Sequence, residues 1–247
     1  MLNIAVLDDY QRIAEKLVDW NSIPDSRVSF FSDSILGHDE LIAHLKPYEV
    51  LVTMRERTEL PRSVLEALPK LRFIAGTGRA QNHVDIPVAT DLGIPVCGTE
   101  GGSSGISTAE LTWGLILACF RQIPKQNDSL RQGKWQTDMG HIVSGKTLGV
   151  LGLGRIGTRV ASIGQAFGMS VKAWGPTLTE NRAADHGVMY VPWERLFEDA
   201  DVLTVHARLT DTSRGWITFD ELSKMKRTAY LINTARSALI DQEGLLR

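Results

Sequence analysis

A glycine-rich turn separates a short apolar run from a helical pattern in the second half of the chain. Leu148–Leu151 is typical of a buried strand, and the sequence Gly-Leu-Gly-Arg-Ile-Gly follows it directly at positions 152–157. In this context Gly152 permits a tight turn, Gly154 lets a pyrophosphate approach the backbone, and Gly157 lets the next helix pack close to the strand. The pattern predicts dinucleotide binding at the helix N-terminus. The alternative is a tight strand-to-helix turn without a ligand.

Strand and helix patterns alternate along the whole chain, which predicts an α/β protein with parallel sheets and helices on both faces. Residues 1–98 are expected to form one domain and residues 99–247 a second. Strands of the first are expected at Asn3–Leu7, Val28–Phe31, Val50–Met54, Phe73–Ala75 and Val96–Cys97. Strands of the second are expected from Thr147 and at Val171–Trp174, Met189–Val191, Val202–His206 and Tyr230–Asn233.

The connection between the two domains is rich in glycine and serine over residues 98–107, which predicts a loop and a hinge. Thr108–Arg121 follows and is apolar almost all round. This pattern predicts a helix that is buried on every side, between the two domains.

The composition is that of a globular protein, with 43% hydrophobic and 23% charged residues and a net charge of −2. This balance implies no general attraction to nucleic acid or to an anionic membrane. No apolar run has transmembrane length and no signal peptide is recognised, so a cytoplasmic location is expected. Cys97 and Cys119 have no metal-ligand spacing and are expected to be reduced core residues.

Four segments together resemble the D-isomer-specific 2-hydroxyacid dehydrogenases, over essentially the whole chain. They are Phe73–Gly78, Thr108–Leu111, Gly145–Gly157, and Ala200–His206 with its continuation Leu231–Arg236. The resemblance implies a flavodoxin-like substrate domain and a Rossmann-type cofactor domain, both doubly wound. It also implies an oxidoreductase that transfers a hydride between NAD or NADP and C2 of a small 2-hydroxy or 2-oxo acid. The family is commonly dimeric through the cofactor domain, and the apolar Leu111–Phe120 and Trp135 region fits a homodimer.

The resemblance assigns the substrate-binding groups. Arg236 matches the catalytic arginine, whose planar cation suits the adjacent carboxylate and carbonyl oxygens of a 2-oxo acid. Gly76, Thr77 and Gly78 match a loop whose amides hold the substrate carboxylate. Arg55 ends a strand of the same domain, where it either faces the substrate or is solvated.

Further residues are assigned to the cofactor by the same resemblance. Thr108 is expected on the nicotinamide side, together with Thr234 and Ala235, and Arg155 and Ile156 beside the pyrophosphate. His206, followed by Ala207, is expected near the cofactor ribose, and a structural histidine is the alternative.

The sequence departs from the family at two places. Gly175 stands where an acidic residue usually binds the adenosine ribose, and Thr177 and Arg182 follow. The missing carboxylate removes repulsion against a 2′-phosphate, so we expect dual or NADP-leaning cofactor use.

The second departure follows Arg236, where the family has a glutamate and then a Pro-His motif. Neither occurs in residues 237–247, and Ser237 replaces the usual glycine. We therefore expect a C-terminally truncated sequence with little turnover by itself. Two alternatives stay open: a non-catalytic NAD(P)H-sensing protein of the corepressor kind, and a fragment without function.

Overall fold

The computed structural model describes residues 1–35, 37–78, 81–99 and 105–247. The chain divides into two compact units, Met1–Gly102 and Ser103–Arg247. Residues 100–104, which belong to the segment predicted as a hinge, lie outside the described residues.

The first unit is built on a five-stranded sheet in which all paired strands are parallel. Its strands are β1 (Leu2–Val6), β2 (Ser26–Phe30), β3 (Val50–Met54), β4 (Phe73–Thr77) and β5 (Val96–Gly98). Their order across the sheet is β2-β1-β3-β4-β5. This is the flavodoxin-like doubly wound order, and it confirms the prediction for this half of the chain.

Among the described residues of the first unit there are also four helices and one 3₁₀ turn. They are α1 (Ala14–Leu17), the 3₁₀ turn Trp20–Ser22, α2 (His38–Leu45), α3 (Arg62–Leu65) and α4 (Ile86–Asp91). The helix α1 ends at Leu17 because Val18 adopts an extended conformation. The helix α4 was not predicted, since it is only six residues long and buries just Val88 and Ala89. Its start is fixed instead by Asp85, whose carboxylate accepts a hydrogen bond from the Val88 amide at 3.2 Å.

The second unit has its own five-stranded parallel sheet. Its strands are β6 (Thr147–Leu151), β7 (Ser170–Trp174), β8 (Met189–Tyr190), β9 (Val202–Val205) and β10 (Tyr230–Asn233). They are ordered β10-β9-β6-β7-β8. The chain therefore reverses direction across the sheet at β6, which is the Rossmann arrangement and confirms the predicted cofactor-type fold.

Seven helices and one 3₁₀ turn surround the second sheet. They are α5 (Ile106–Phe120), α6 (Ile123–Arg131), α7 (Arg155–Ala166), α8 (Glu180–Ala184), α9 (Trp193–Asp199), α10 (Phe219–Lys224), the 3₁₀ turn Ser237–Leu239 and α11 (Gln242–Leu245). The helix α6 was not predicted. None of its residues is buried, so it carries no apolar stripe that a sequence pattern would show.

The helix α5 is buried on one side only, so the prediction of burial all round was wrong. Its residues Ala109, Trp113 and Ile116 enter the core of the second unit. Leu111 and Leu115, however, are 57% and 39% exposed. A helix composed almost entirely of apolar residues therefore leaves an apolar face on the surface of this chain.

The two cysteines differ in their exposure. Cys97 is exposed and Cys119 is half-buried, so the expectation that both lie in the core was wrong for Cys97, and both thiols are free. None of the helices within the described ranges combines the length and the apolar character needed to cross a bilayer.

Candidate functional site

The glycine turn after β6 has the geometry that its sequence predicts. Gly152 has a φ of +97°, which L side chains rarely adopt. A β-carbon there would stand 2.9 Å from the backbone nitrogen of Ala207 and from the carbonyl carbon of His206. Since real β-carbons do not approach backbone so closely, only glycine lets β6 turn this tightly against the end of β9.

The other two fingerprint glycines differ in what surrounds them. A β-carbon on Gly157 would lie 2.1 Å from the Gly152 carbonyl oxygen, so this glycine lets α7 pack directly on the turn. A β-carbon on Gly154 would meet nothing within 4 Å. Gly154 is also the N-cap of α7 and provides no side-chain cap. Open space therefore adjoins the positive end of a twelve-residue helix, as an approaching phosphate requires.

The end of β7 borders the same turn. A β-carbon on the buried Gly175 would stand 3.8 Å from the Gly152 α-carbon and 3.5 Å from the Leu178 β-carbon, both ordinary contacts. A side chain at residue 175 would thus lie beside the phosphate turn, but this position carries none. The guanidinium of Arg182 donates a hydrogen bond to the Thr177 carbonyl at 2.8 Å. The Arg182 guanidinium is therefore held at residue 177, two positions after Gly175.

The end of β9 contributes His206. Its backbone amide donates to the Leu151 carbonyl at 2.8 Å, and its Nε2 lies 2.9 Å from the Thr204 hydroxyl. Burial lowers the pKa of His206 to about 4. The ring is therefore neutral at neutral pH and acts there through hydrogen bonds, not as a cation.

The end of β10 carries Arg236 on a short loop closed by Asn233. The side chain of Asn233 donates to the Arg236 carbonyl at 2.9 Å and accepts from the Ala235 amide at 3.0 Å. The Arg236 guanidinium in turn donates to the Ala235 carbonyl at 3.0 Å. Asn233 was not singled out from the sequence, although a carboxamide at a strand end is a common way to close such a turn.

A second unpredicted residue, Thr112, links α5 to this loop. Its hydroxyl donates to the Thr108 carbonyl at 2.8 Å and lies 2.9 Å from the Thr234 hydroxyl. Two positions assigned to the nicotinamide side, Thr108 and Thr234, are therefore joined through one buried side chain. All the predicted cofactor residues of the strand ends lie at the carboxyl edge of this sheet, because its strands are parallel.

The residues predicted to bind the substrate carboxylate, Arg55 and Gly76–Gly78, lie at the carboxyl edge of the sheet of the first unit. The amide of Arg55 donates to the Thr77 hydroxyl at 2.9 Å. A β-carbon on Gly78, whose φ is +107°, would stand 3.6 Å from an Arg55 guanidinium nitrogen. The structure thus brings the Arg55 side chain next to the Gly76–Gly78 segment, as a shared anion site requires.

The glycine loop has two further partners that sequence reasoning missed. The Gly78 amide donates to the Thr99 hydroxyl at 2.8 Å. The Gln81 side chain donates to the Gly78 carbonyl at 2.9 Å. Its amide group occupies the place of a β-carbon on Gly76, only 1.9 to 2.1 Å away. Gly76 is therefore needed for packing against Gln81, whereas Gly78 is needed for its backbone conformation.

Buried polar groups near this edge include His83. Both of its ring nitrogens are buried without a hydrogen-bonding partner among the described residues. Burial lowers the pKa of His83, against the opposing charges of Glu56 and Asp8, so the ring is neutral at pH 7. Within the described ranges no group of three or more histidine, cysteine, aspartate or glutamate side chains could hold a metal ion.

The strand order and the glycine turn together define the class of the second unit, a doubly wound dinucleotide-binding domain. Residues 113–247 match the model of the D-isomer specific 2-hydroxyacid dehydrogenase, NAD binding domain. Because this match covers more than half of the chain, the protein belongs to the D-isomer-specific 2-hydroxyacid dehydrogenase family, and residues 113–247 are its NAD-binding domain.

Curated relatives and solved structures agree with this assignment. The D-3-phosphoglycerate dehydrogenase of Rattus norvegicus is 37% identical over 214 residues, which are 86% of this chain and 40% of that protein. The hydroxypyruvate reductase of Thermotoga maritima is 38% identical over 85% of this chain and 68% of its own length. A phosphoglycerate oxidoreductase from Vibrio cholerae superposes with a TM-score of 0.92 at 38% identity, covering 99% of this chain and 79% of that one. The chain thus spans about 40% of the length of the phosphoglycerate dehydrogenases that it matches.

Proposed function

We propose that this protein is an NAD(P)-dependent oxidoreductase that transfers a hydride between nicotinamide and C2 of a small D-2-hydroxy or 2-oxo acid. The observation that carries the proposal is the turn of Gly152, Gly154 and Gly157, because it combines a tight backbone, open space and a helix N-terminus at the switch point of a Rossmann sheet. Family membership and the dehydrogenase relatives support the same reaction class.

The residues of the second unit suit the cofactor. The amides at the start of α7 would bind the pyrophosphate beside Gly154, with Arg155 and Ile156 flanking it. The residues His206 and Ala207 would border the ribose. When bound, the nicotinamide supplies or accepts the hydride, and the protein supplies position and charge.

The substrate would be held by charge and by backbone donors. Arg55 and the Gly76–Gly78 segment would bind the carboxylate in the first unit. The permanent positive charge of Arg236 would stabilise the negative charge that develops on the C2 oxygen during reduction. Arg236 is therefore the proposed catalytic residue, and Asn233 holds its loop.

The choice between NAD and NADP is proposed from Gly175. With no carboxylate beside the phosphate turn and Arg182 held at Thr177, we expect dual or NADP-leaning use. Titration with both cofactors tests this, and NAD binding at least about tenfold tighter than NADP would reject it, a difference of about 1.4 kcal/mol.

A homodimer is proposed from the exposed apolar surface of the second unit. Leu111 and Leu115 on α5 are exposed together with Trp135, Met139 and Ile142. We infer that these side chains contribute to an interaction surface, since contiguous exposed apolar patches commonly mark such surfaces. We propose that a second copy of this chain covers these side chains, in keeping with the family resemblance.

A binding experiment tests the proposal without requiring turnover. Calorimetric titration of NADH, and then of oxalate into the NADH complex, measures both sites on the 247-residue chain. We expect both ligands to bind and Arg236→Gln to weaken oxalate alone. A protein that binds NADH but no oxalate is a nucleotide sensor, and one that binds neither would refute the proposal.

A further inference from the structure

The side chain of Thr112 makes an unusual connection for a threonine inside a helix. It lies in the middle of α5 and has no exposed surface. Its hydroxyl bonds to the Thr108 carbonyl four residues earlier at 2.8 Å, which is a common arrangement for a helical threonine. The same oxygen also lies 2.9 Å from the Thr234 hydroxyl, 122 positions along the chain.

Counting protons shows how the two bonds can form together. A hydroxyl has one proton and two acceptor lone pairs. When the proton of Thr112 is used on the Thr108 carbonyl, Thr112 can still accept from Thr234. Both bonds therefore form together only when Thr234 donates to Thr112, and the Thr234 side chain is then held towards α5.

The loop after β10 is consequently fixed at two points. Thr112 holds Thr234, and the Asn233 carboxamide binds the backbone of Ala235 and Arg236. Thr112 also binds the carbonyl of Thr108, which lies near the start of α5. One buried hydroxyl thus connects the first turn of α5 with the loop that carries Arg236.

We propose that Thr112 is a positioning residue for the nicotinamide half of the bound cofactor. The inference rests on the proposed function, which places Thr108, Thr234 and Ala235 at that end of the ligand. Thr112 itself is fully buried, so it would act through Thr108 and Thr234 and not by direct contact with the cofactor. The adenosine and pyrophosphate half would be bound by residues at the ends of β6, β7 and β9, to which Thr112 makes no hydrogen bond among the described residues.

Two substitutions at residue 112 distinguish the effect of the hydroxyl group from the effect of the side-chain volume. Thr112→Val keeps the branched shape but cannot donate or accept, whereas Thr112→Ser keeps the hydroxyl. Each variant is titrated with NADH and with ADP-ribose, which lacks the nicotinamide. We expect Thr112→Val to weaken NADH about fivefold to tenfold, the effect of one buried hydrogen bond, and to leave ADP-ribose within about twofold. Thr112→Ser should bind both ligands within about twofold of the unsubstituted protein.

A second variant keeps the inference testable if Thr112→Val does not fold. Thr234→Val removes the same bond from the other side and should show the same selective loss for NADH. In the double variant the two losses should not add, because a single interaction is broken. Thermal melting verifies that each variant is folded.

The outcomes distinguish the inference from the proposed function. Equal weakening of NADH and ADP-ribose, or no weakening of NADH by either valine variant, would overturn the positioning role of Thr112 while cofactor binding stands. If the unsubstituted protein binds neither ligand, the proposed function fails, and the role of Thr112 fails with it.

Discussion

The carbonyl oxygen of Gly152 lies only 2.1 Å from the place that a β-carbon on residue 157 would occupy. Gly157→Ala must therefore push α7 away from the turn, since the obstacle is backbone and cannot rotate aside. We expect a loss of about 1–3 kcal/mol or more in the free energy of unfolding, together with weaker NADH binding. Urea unfolding and calorimetric titration measure the two effects.

Gly154→Ala is the matched test of the ligand role. Its new methyl group would meet no atom of the protein within 4 Å, so the free energy of unfolding should change by less than about 1 kcal/mol. The methyl would, however, occupy the space proposed for the pyrophosphate, so NADH affinity should fall at least about tenfold. An unchanged NADH affinity in folded Gly154→Ala would contradict the assignment of this turn to the phosphates.

Acid should destabilise the protein through His206. Burial lowers its pKa from 6.5 to about 4 in the fold, whereas the unfolded chain keeps the ordinary value. Above pH 6.5 both states are neutral and stability is unaffected. As the pH falls from 6.5 to 4, only the unfolded chain takes up the proton, so the free energy of unfolding falls by at most about 3 kcal/mol.

His206→Gln isolates this effect, because the glutamine amide can still bond to Thr204 but does not titrate. Urea unfolding between pH 7.5 and 4.5 should show a smaller acid loss in the variant. Some loss should remain, since burial also lowers the pKa of His83 and acts in the same direction. Identical pH dependence in both proteins would show that His206 is not the group responsible.

Restoring an acidic side chain after β7 should shift cofactor preference. Gly175→Asp adds a carboxylate beside the phosphate turn, where the surroundings allow ordinary contacts at 3.5 and 3.8 Å. We expect the ratio of NAD to NADP affinity to rise at least about tenfold, because the carboxylate can bind ribose hydroxyls and repels a 2′-phosphate. Gly175→Ala is the uncharged control and should leave the ratio within about twofold. An unchanged ratio of NAD to NADP affinity in Gly175→Asp would show that residue 175 does not determine the cofactor preference.

The proposed homodimer can be tested by a substitution on the exposed face of α5. Leu111→Glu places a charge on a side chain that is 57% exposed in the chain alone, so a monomer should tolerate it. Light scattering after gel filtration should show a dimer for the unsubstituted protein and a monomer for the variant. Glu110→Lys on the same helix, also at an exposed position, controls for a change of charge. A monomeric unsubstituted protein would refute the proposed homodimer.

Local sequence patterns were sufficient to predict the strands of the two sheets and the glycine turn. Alternating strand and helix signals predicted both sheets, and the spacing of Gly152, Gly154 and Gly157 predicted a turn whose geometry the structure shows. The helices α4 and α6 were not predicted because they bury little apolar surface, so no periodic pattern of apolar residues marks them. The apolar composition of α5 was visible, but which of its sides faces the core depends on the sheet against which it packs.

The sequence by itself determined the alternation of strands and helices and the residues placed at strand ends, since both rest on neighbouring residues and their period. The two sheet types followed from the resemblance to the family. Only the tertiary structure decided the pairs that hold those residues in place. Thr112 meets Thr234, Gly78 meets Thr99, and Gln81 packs on Gly76. Such contacts arise when helices, strands and loops distant in sequence are brought together, and the donors and acceptors within reach then limit which hydrogen bonds can form.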